Sequence, residues 1–221
     1  MIIILVGAPG SGKGTISKEL CSKLGLIHVA TGDMFREELQ NGTELGHKIK
    51  EYMDSGNLVP DEIVIEVVKE RVAREQEDKS LIFDGFPRTK AQAVALDEML
   101  TTINRNVTAA IEMSIPDEEI VKRIVNRRMC ANKECGAIYN IVTRPPKVEN
   151  VCDICGSHLV KRKDDEEHTV RKRLEVYHEQ ADSLLQYYKE QDKLCTVVQN
   201  PQSETSLADS VKTVEHYLEN K

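Results

Sequence analysis

Gly7-Ala8-Pro9-Gly10-Ser11-Gly12-Lys13-Gly14-Thr15 is the stretch that decides how this chain folds. It follows the apolar run Ile2-Ile3-Ile4-Leu5-Val6 and opens a helical pattern over Gly14–Leu24. Strand, glycine-rich turn and helix in that order form a cradle for phosphate. The glycines let backbone N–H groups point inward without Cβ clashes, and the helix N-terminus adds partial positive charge. Lys13 supplies a full charge at the outer phosphates. Gly10, Ser11, Gly12, Lys13, Gly14 and Thr15 are thus candidate phosphate-binding residues. The usual motif has Ser or Thr directly after the lysine; here Gly14 intervenes before Thr15.

Outward from this loop, short apolar runs alternate with longer amphipathic segments. Strands are predicted at Ile2–Val6, Ile27–Ala30, Leu81–Phe83, Val107–Met113 and Leu194–Val198. Helices are predicted near Gly14–Leu24, Asp33–Gln40, Thr43–Ser55, Asp61–Gln76, Lys90–Leu100, Asp117–Arg128, Glu166–Gln191 and Ser206–Glu219. Such alternation implies an α/β fold, a parallel sheet with helices on both faces. Ile2–Val6 and Leu81–Phe83 are continuously apolar, as befits strands buried on both sides. Two stretches interrupt the alternation and read as inserts. Between Thr31 and Gln76 helices follow one another with no strand, and residues 129–165 lack a helical period; the inserts are expected at 31–59 and 129–165. The core is then expected at 1–30, 60–128 and 166–221.

Leu81-Ile82-Phe83-Asp84 is an apolar strand ending in a carboxylate. It places Asp84 at the C-terminal edge of the sheet beside the phosphate loop, where it can hold Mg²⁺ through water. Cys130-x4-Cys135-x16-Cys152-x2-Cys155 has the two-knuckle spacing of a closed structural zinc site. Cys21 and Cys195 stand apart and are expected as small core residues.

The bulk numbers set bounds. The chain has 221 residues, 40% hydrophobic and 30% charged, with net charge -7. That suits one sizeable core with inserts, and it argues against a general nucleic-acid surface. The apolar start has no preceding Lys or Arg and ends at Gly7 after six residues. It fits a buried strand better than an export signal, and no apolar run reaches membrane-spanning length. Cysteines paired for metal rather than disulfides fit a reducing cytoplasm. No sustained heptad or spare apolar face is evident, so a monomer is expected.

A phosphate loop alone does not separate a kinase from a nucleotide-driven switch. Arginines decide more, because phosphoryl transfer between nucleotides crowds several negative charges and arginine forks neutralise them without losing a proton. Arg36, Arg88, Arg123, Arg127, Arg162 and Arg173 are the candidates, although Arg127-Arg128 and Arg171-Lys172-Arg173 also suit solvated helix faces. Gly7–Thr15, Thr31-Gly32-Asp33-Met34-Phe35-Arg36, Gly56-Asn57-Leu58-Val59-Pro60, Asp84-Gly85-Phe86-Pro87-Arg88-Thr89 with Gln92, Arg123 to Arg128, and Arg162-Lys163-Asp164-Asp165 onward through Arg173 together resemble the adenylate kinase family, in its long-lid, zinc-binding form. The match in order and spacing runs from end to end.

That resemblance implies a phosphate-loop kinase core with a helical AMP-binding insert and a zinc-bearing lid. It implies reversible transfer from Mg·ATP to AMP, giving two ADP, with Zn²⁺ and Mg²⁺ as the metals. Lys13, Arg88, Arg127, Arg162 and Arg173 would be catalytic. Thr31, Arg36, Asn57, Leu58, Val59, Gly85, Phe86, Pro87, Arg88, Gln92, Arg162 and Arg173 would form the AMP site, with Gln92 reading the adenine edge. The residues Gly10 to Thr15, Arg123, Arg127, Ile138, Tyr139 and Gln202 would serve ATP. The chain departs from the family in three places. Ile16 replaces a usual Gln, the first cysteine gap is four residues rather than two, and Asn200-Pro201 replaces a glycine-containing turn. Three alternatives stay open: another nucleoside monophosphate as acceptor, GTP as donor, or a nucleotide-dependent switch whose zinc ribbon grips a partner.

Overall fold

Strand β1 (Ile2–Val6) is buried along its whole length. Its side chains alternate between two cores, because successive residues of a strand point to opposite faces. Ile2, Ile4 and Val6 join one apolar cluster, while Ile3 and Leu5 join another. This is why the run reads as continuously apolar. A computed structural model describes residues 1–75, 79–199 and 207–221. Gln76, Ser206 and the Asn200-Pro201-Gln202 segment lie outside the described residues.

The elements follow in order as α1 (Lys13–Leu24), β2 (Ile27–Ala30), α2 (Thr31–Asn41), α3 (Glu44–Ser55), α4 (Asp61–Ala73), β3 (Leu81–Asp84), α5 (Lys90–Thr102), β4 (Ala109–Ser114) and α6 (Asp117–Val125). Then come β5 (Arg127–Cys130), β6 (Ile138–Asn140), β7 (Leu159–Val160), α7 (Glu167–Glu190), β8 (Leu194–Val198) and α8 (Leu207–Glu219). Five strands form one parallel sheet in the order β2-β3-β1-β4-β8. Helices α1 and α8 cover one face through Ile16, Leu20, Val211 and Val214. Helices α4, α5 and α7 cover the other through Val64, Val68, Leu96, Leu100, Leu184 and Tyr188. Among the described residues no helix is long and apolar enough to cross a membrane.

From β1 the chain runs out to β2, returns to β3 beside β1, then crosses to β4 on the other side of β1, so a crevice opens beyond the carboxyl end of β1. Register fixes what lines it. Asp84 pairs with Leu5 of β1 and with Ala30 of β2. The phosphate loop, Thr31 and Gly85 therefore emerge side by side.

Helices α2 and α3 carry the first insert. They cross where Gly46 meets α2 backbone; a Cβ there would stand 2.4 Å from the Glu38 carbonyl oxygen. Strands β6, β5 and β7 form a separate antiparallel sheet in the second insert. One 3₁₀ turn follows at Lys163–Asp165.

Several predicted boundaries shift. The helix expected over Asp117–Arg128 stops at Val125, and Arg127 and Arg128 open strand β5 instead. Charged residues suit a helix surface, but here their backbone pairs with Ile138–Asn140. The strand expected at Val107–Met113 spans Ala109–Ser114, where it pairs with β1 and β8. Helix α2 begins two residues earlier than expected, and α4 ends at Ala73.

Candidate active site

The phosphate loop turns through left-handed backbone at Gly10 (φ 78) and Gly12 (φ 96). At Gly10 a Cβ would also lie 2.5 Å from Ile124 Cγ1, so only glycine fits. Lys13 reaches back inside the loop, where Nζ donates to the carbonyls of Gly7 (2.7 Å) and Ala8 (2.8 Å). Burial lowers its pKa from 10.5 to about 8, with nearby Asp84 opposing and Arg88, Arg173 and Arg127 reinforcing the shift. Gly14 lies beside Asp84, since a Cβ there would sit 3.6 Å from Oδ2. Thr15 is exposed on the first turn of α1. Ser11 Oγ is buried and has no hydrogen-bond partner.

Burial alone would raise the Asp84 carboxyl. Its contacts with His28 and the charges of Lys13 and Arg88 outweigh burial and hold it below the usual carboxylate range. His28 Nε2 stands 3.6 Å from Asp84 Oδ2 and 3.2 Å from Ser17 Oγ. An ionised carboxylate beside a phosphate loop is the donor set that hydrated Mg²⁺ takes.

A cleft of about 570 Å³, its mouth included, opens next to this loop. Among the sequence-predicted residues Thr31, Arg36, Asn57, Leu58, Val59, Gly85, Arg88, Gln92 and Arg173 line it. Phe86 and Pro87 do not. Their side chains are buried beneath it, with Phe86 packed against Phe83 at a ring-centroid distance of 6.2 Å. The Arg88 side chain lines the cleft and stays open to solvent there. Nε donates to the Gly85 carbonyl at 2.8 Å, which aims the fork. Burial and the adjacent Arg173 bring its pKa down to about 10, so it stays charged at neutral pH.

Arg162 does not line the cleft but sits at its rim, 4.0 Å from Asp33 Oδ1. Its Nε is buried without a partner. Burial, Arg36 and Arg127 lower its pKa to about 10. Arg173 donates to Asp164 Oδ2 at 3.0 Å, and Arg127 grips the fully buried Asp165 with a two-pronged contact of 3.0 and 2.5 Å. Burial opposes ionisation of Asp164, but Arg173, Arg36, Arg162 and Arg127 prevail and keep its carboxyl low. The cations thus outnumber the carboxylates that restrain them, and orphaned donors remain. Such a site is built for polyanions.

Arg123 donates to Gln199 Oε1 at 2.9 Å, and Gln199 Nε2 donates to the Ser11 carbonyl at 2.7 Å. Gln199 therefore ties the end of β8 to the phosphate loop. Sequence reasoning missed it, as it missed His28, and it gave Asp164 and Asp165 no role of their own. Gln199 follows directly on a predicted strand of a parallel sheet, a place where ligand-facing residues concentrate, and that signal could have found it. Gln202 lies outside the described residues.

In the second insert, the sulfurs of Cys130, Cys135, Cys152 and Cys155 lie within 4.8 Å of one another. Cys130–Cys155 is 3.3 Å and Cys135–Cys152 is 3.7 Å. A tetrahedron of Zn–S bonds has edges of about 3.8 Å, so the set fits. Backbone N–H groups of Asn132, Ala137, Ile154, Cys155 and Ser157 point at the sulfurs, as thiolate charge requires. The four-residue first gap still brings Cys130 and Cys135 into the same cluster. Ile138 is exposed on the lid, whereas Tyr139 is 5% exposed with its hydroxyl 3.5 Å from Cys152 Sγ. The Tyr139 hydroxyl also accepts from Asp153 N at 2.8 Å. Its hydroxyl therefore belongs to the shell of the cysteine cluster.

A family model described as adenylate kinase matches residues 5–193. A protein named adenylate kinase from Caldicellulosiruptor saccharolyticus is 49% identical, over 97% of this chain and 97% of its own. One of the same name from Archaeoglobus fulgidus is 51% identical over 89% of this chain and 90% of its own. Another from Thermosipho africanus is 46% identical over 89% and 91%.

Proposed function

This chain belongs to the adenylate kinase family, a group of nucleoside monophosphate kinases that convert ATP and AMP to two ADP, and from that premise we propose how its residues divide the work. The AMP phosphate enters the cleft between Arg36, Arg88 and Arg173, with its base beside Gln92. The donor phosphates lie in the loop from Gly10 to Thr15, with Arg123 and Arg127 alongside. The backbone at Ile138 and Tyr139, and the segment at Gln202, take the donor base. Lys13 leaves the Gly7 and Ala8 carbonyls for the β- and γ-phosphates. Asp84 would hold Mg²⁺ through water, and the ion would neutralise charge between the phosphates.

The observation that carries this reading is electrostatic. Burial lowers the proton affinity of Lys13, Arg88, Arg162 and Arg173, and neighbouring cations lower it further: Arg88, Arg173 and Arg127 act on Lys13, Arg173 and Arg36 on Arg88, and Arg36 and Arg127 on Arg162 and Arg173. Charge that crowded is unfavourable alone and becomes favourable around two phosphate chains. No side chain has to form a covalent intermediate; positioning and charge neutralisation suffice. The segment 31–59 acts as a cover for AMP and the segment 129–165 as a lid over ATP, on a core of 1–30, 60–128 and 166–221. Closure keeps out water, which would otherwise accept the phosphoryl group.

The four cysteines hold one Zn²⁺, a closed site that stabilises the lid and takes no part in the chemistry. Thiols kept for metal suit a reducing cytoplasm, and we read the chain as a monomer. The test is a coupled assay with Mg·ATP and AMP. Two ADP should form per AMP consumed, and steady ATP hydrolysis without an acceptor, with no ADP formed from AMP, would overturn the reading.

A further inference from the structure

Gln92 is 1% exposed, and its carboxamide is held from both ends. Oε1 accepts from the Arg88 backbone N–H at 2.8 Å. Nε2 donates to Asp61 Oδ1 at 2.7 Å. Asp61, the first residue of α4, is itself anchored, because its Oδ2 accepts from Thr89 Oγ1 at 2.9 Å. Thr89 Oγ1 in turn accepts from Gln92 N at 3.1 Å, capping α5. None of these contacts touches the phosphate-binding arginine forks.

A carboxamide can turn over, exchanging its oxygen and nitrogen, at almost no cost in shape. Here the turn is blocked chemically. A backbone N–H can only donate, and a carboxylate can only accept. Reversal would set the amide oxygen against the Asp61 carboxylate and the amide N–H₂ against the Arg88 N–H, with both pairs buried. The amide keeps one lone pair on oxygen and one N–H on nitrogen, in a fixed sense.

We propose that Asp61 is a positioning residue that sets acceptor-base specificity by locking the orientation of the Gln92 carboxamide. The inference rests on the proposed placement of the acceptor base beside Gln92. Along its reading edge adenine has an amino donor next to a ring-nitrogen acceptor. Hypoxanthine has the reverse, a carbonyl acceptor next to an N–H donor. An amide that cannot turn satisfies the first and opposes the second. An amide free to turn would satisfy either, so discrimination between the two bases would be lost.

The test compares kcat/KM for AMP and for IMP, which differ only at the position that defines this edge. In Asp61→Asn the group facing Gln92 can donate as well as accept, so the lock loosens. We expect the AMP-to-IMP ratio to fall about tenfold, while the KM for ATP stays within twofold. A purely structural role for Asp61 would lower both acceptors alike and leave the ratio unmoved, and that result overturns the proposal. Asp61→Ser is the second variant, read in the same way if the first does not fold. Gln92→Leu separates the two layers of the argument. If it leaves the ratio at the wild-type level, the base does not lie beside Gln92 and the underlying reading fails. If it collapses the ratio while both Asp61 variants keep it, the reading stands and the lock alone is wrong.

Discussion

The parallel sheet and the cysteine lid solve the same problem in opposite ways. Around β1 order comes from burial: Ile2 to Val6 are at most 2% exposed and sit between two helical layers. In the lid the only apolar cluster among the described residues is small, with Cys130, Tyr139, Cys152 and Leu159 buried. Ile141, Val142, Val148, Ile154 and Val160 stay exposed. Burial of that size cannot offset the entropy of ordering more than thirty residues, so four sulfurs take the place of a core. The difference teaches where each kind of order is useful. The proposed function asks for both: a phosphate loop held in place by the buried sheet, and a cysteine-bearing insert that keeps its own shape when it closes.

The comparison breaks most sharply at the arginines, which belong to neither kind of order. Arg88→Ala should lower turnover by about three powers of ten. Its melting temperature should change little, since the guanidinium is not part of the apolar core. Near-normal turnover in a folded sample would remove Arg88 from the reaction. Lys13→Ala should cost about two powers of ten in turnover and less in ATP affinity, because the charge is needed most as the β–γ bridge breaks. A change in apparent affinity alone would make Lys13 a binding residue only.

Metal removal tests the other half. Chelation, or Cys130→Ser, should lower the melting temperature by several degrees and loosen the lid, on a scale where about 1 kcal/mol shifts a domain of this size by 2–4 °C. Folded enzyme should still transfer phosphoryl groups at low temperature, and elemental analysis should find about one zinc per chain. An unchanged melting curve after metal removal would make the cysteines bystanders. A chelated enzyme that is folded throughout yet inactive would place the metal in the chemistry.

The smallest effect is a pH limb. The Lys13 pKa is lowered to about 8, below its ordinary 10.5, so in the nucleotide-free fold the ammonium loses its proton as pH rises through about 8. Because kcat/KM reports the free enzyme, its logarithm for Mg·ATP should bend downward above that pH, by up to tenfold per unit. In Lys13→Arg the charge persists, and whatever kcat/KM remains should lack this limb. The same limb in that variant would assign the ionisation to another group.

Much of this protein is legible in its sequence because the cues are local. A five-residue apolar run before a glycine-rich turn can hardly be other than a buried strand leading to a phosphate loop. An apolar strand ending in Asp84 has one natural place in a parallel sheet. Cysteine spacing predicts a knuckle pair before any coordinate is known, since ligand geometry constrains the chain between ligands. What tertiary structure alone decided is pairing at a distance. Arg127 and Arg128 look like helix surface by composition, but hydrogen bonding to Ile138–Asn140 makes them the first strand of the lid. The Tyr139 hydroxyl meets Cys152, a contact that no spacing in the sequence announces. Phe86 and Pro87 lie within the stretch expected to meet AMP, and their side chains are buried beneath the cleft. Asp61 and Gln92 are 31 residues apart, and the contact between them exists only because α4 and α5 pack side by side. Periodicity and spacing describe what a segment prefers. Which side chain faces which partner depends on how the segments pack, and no local pattern carries that information.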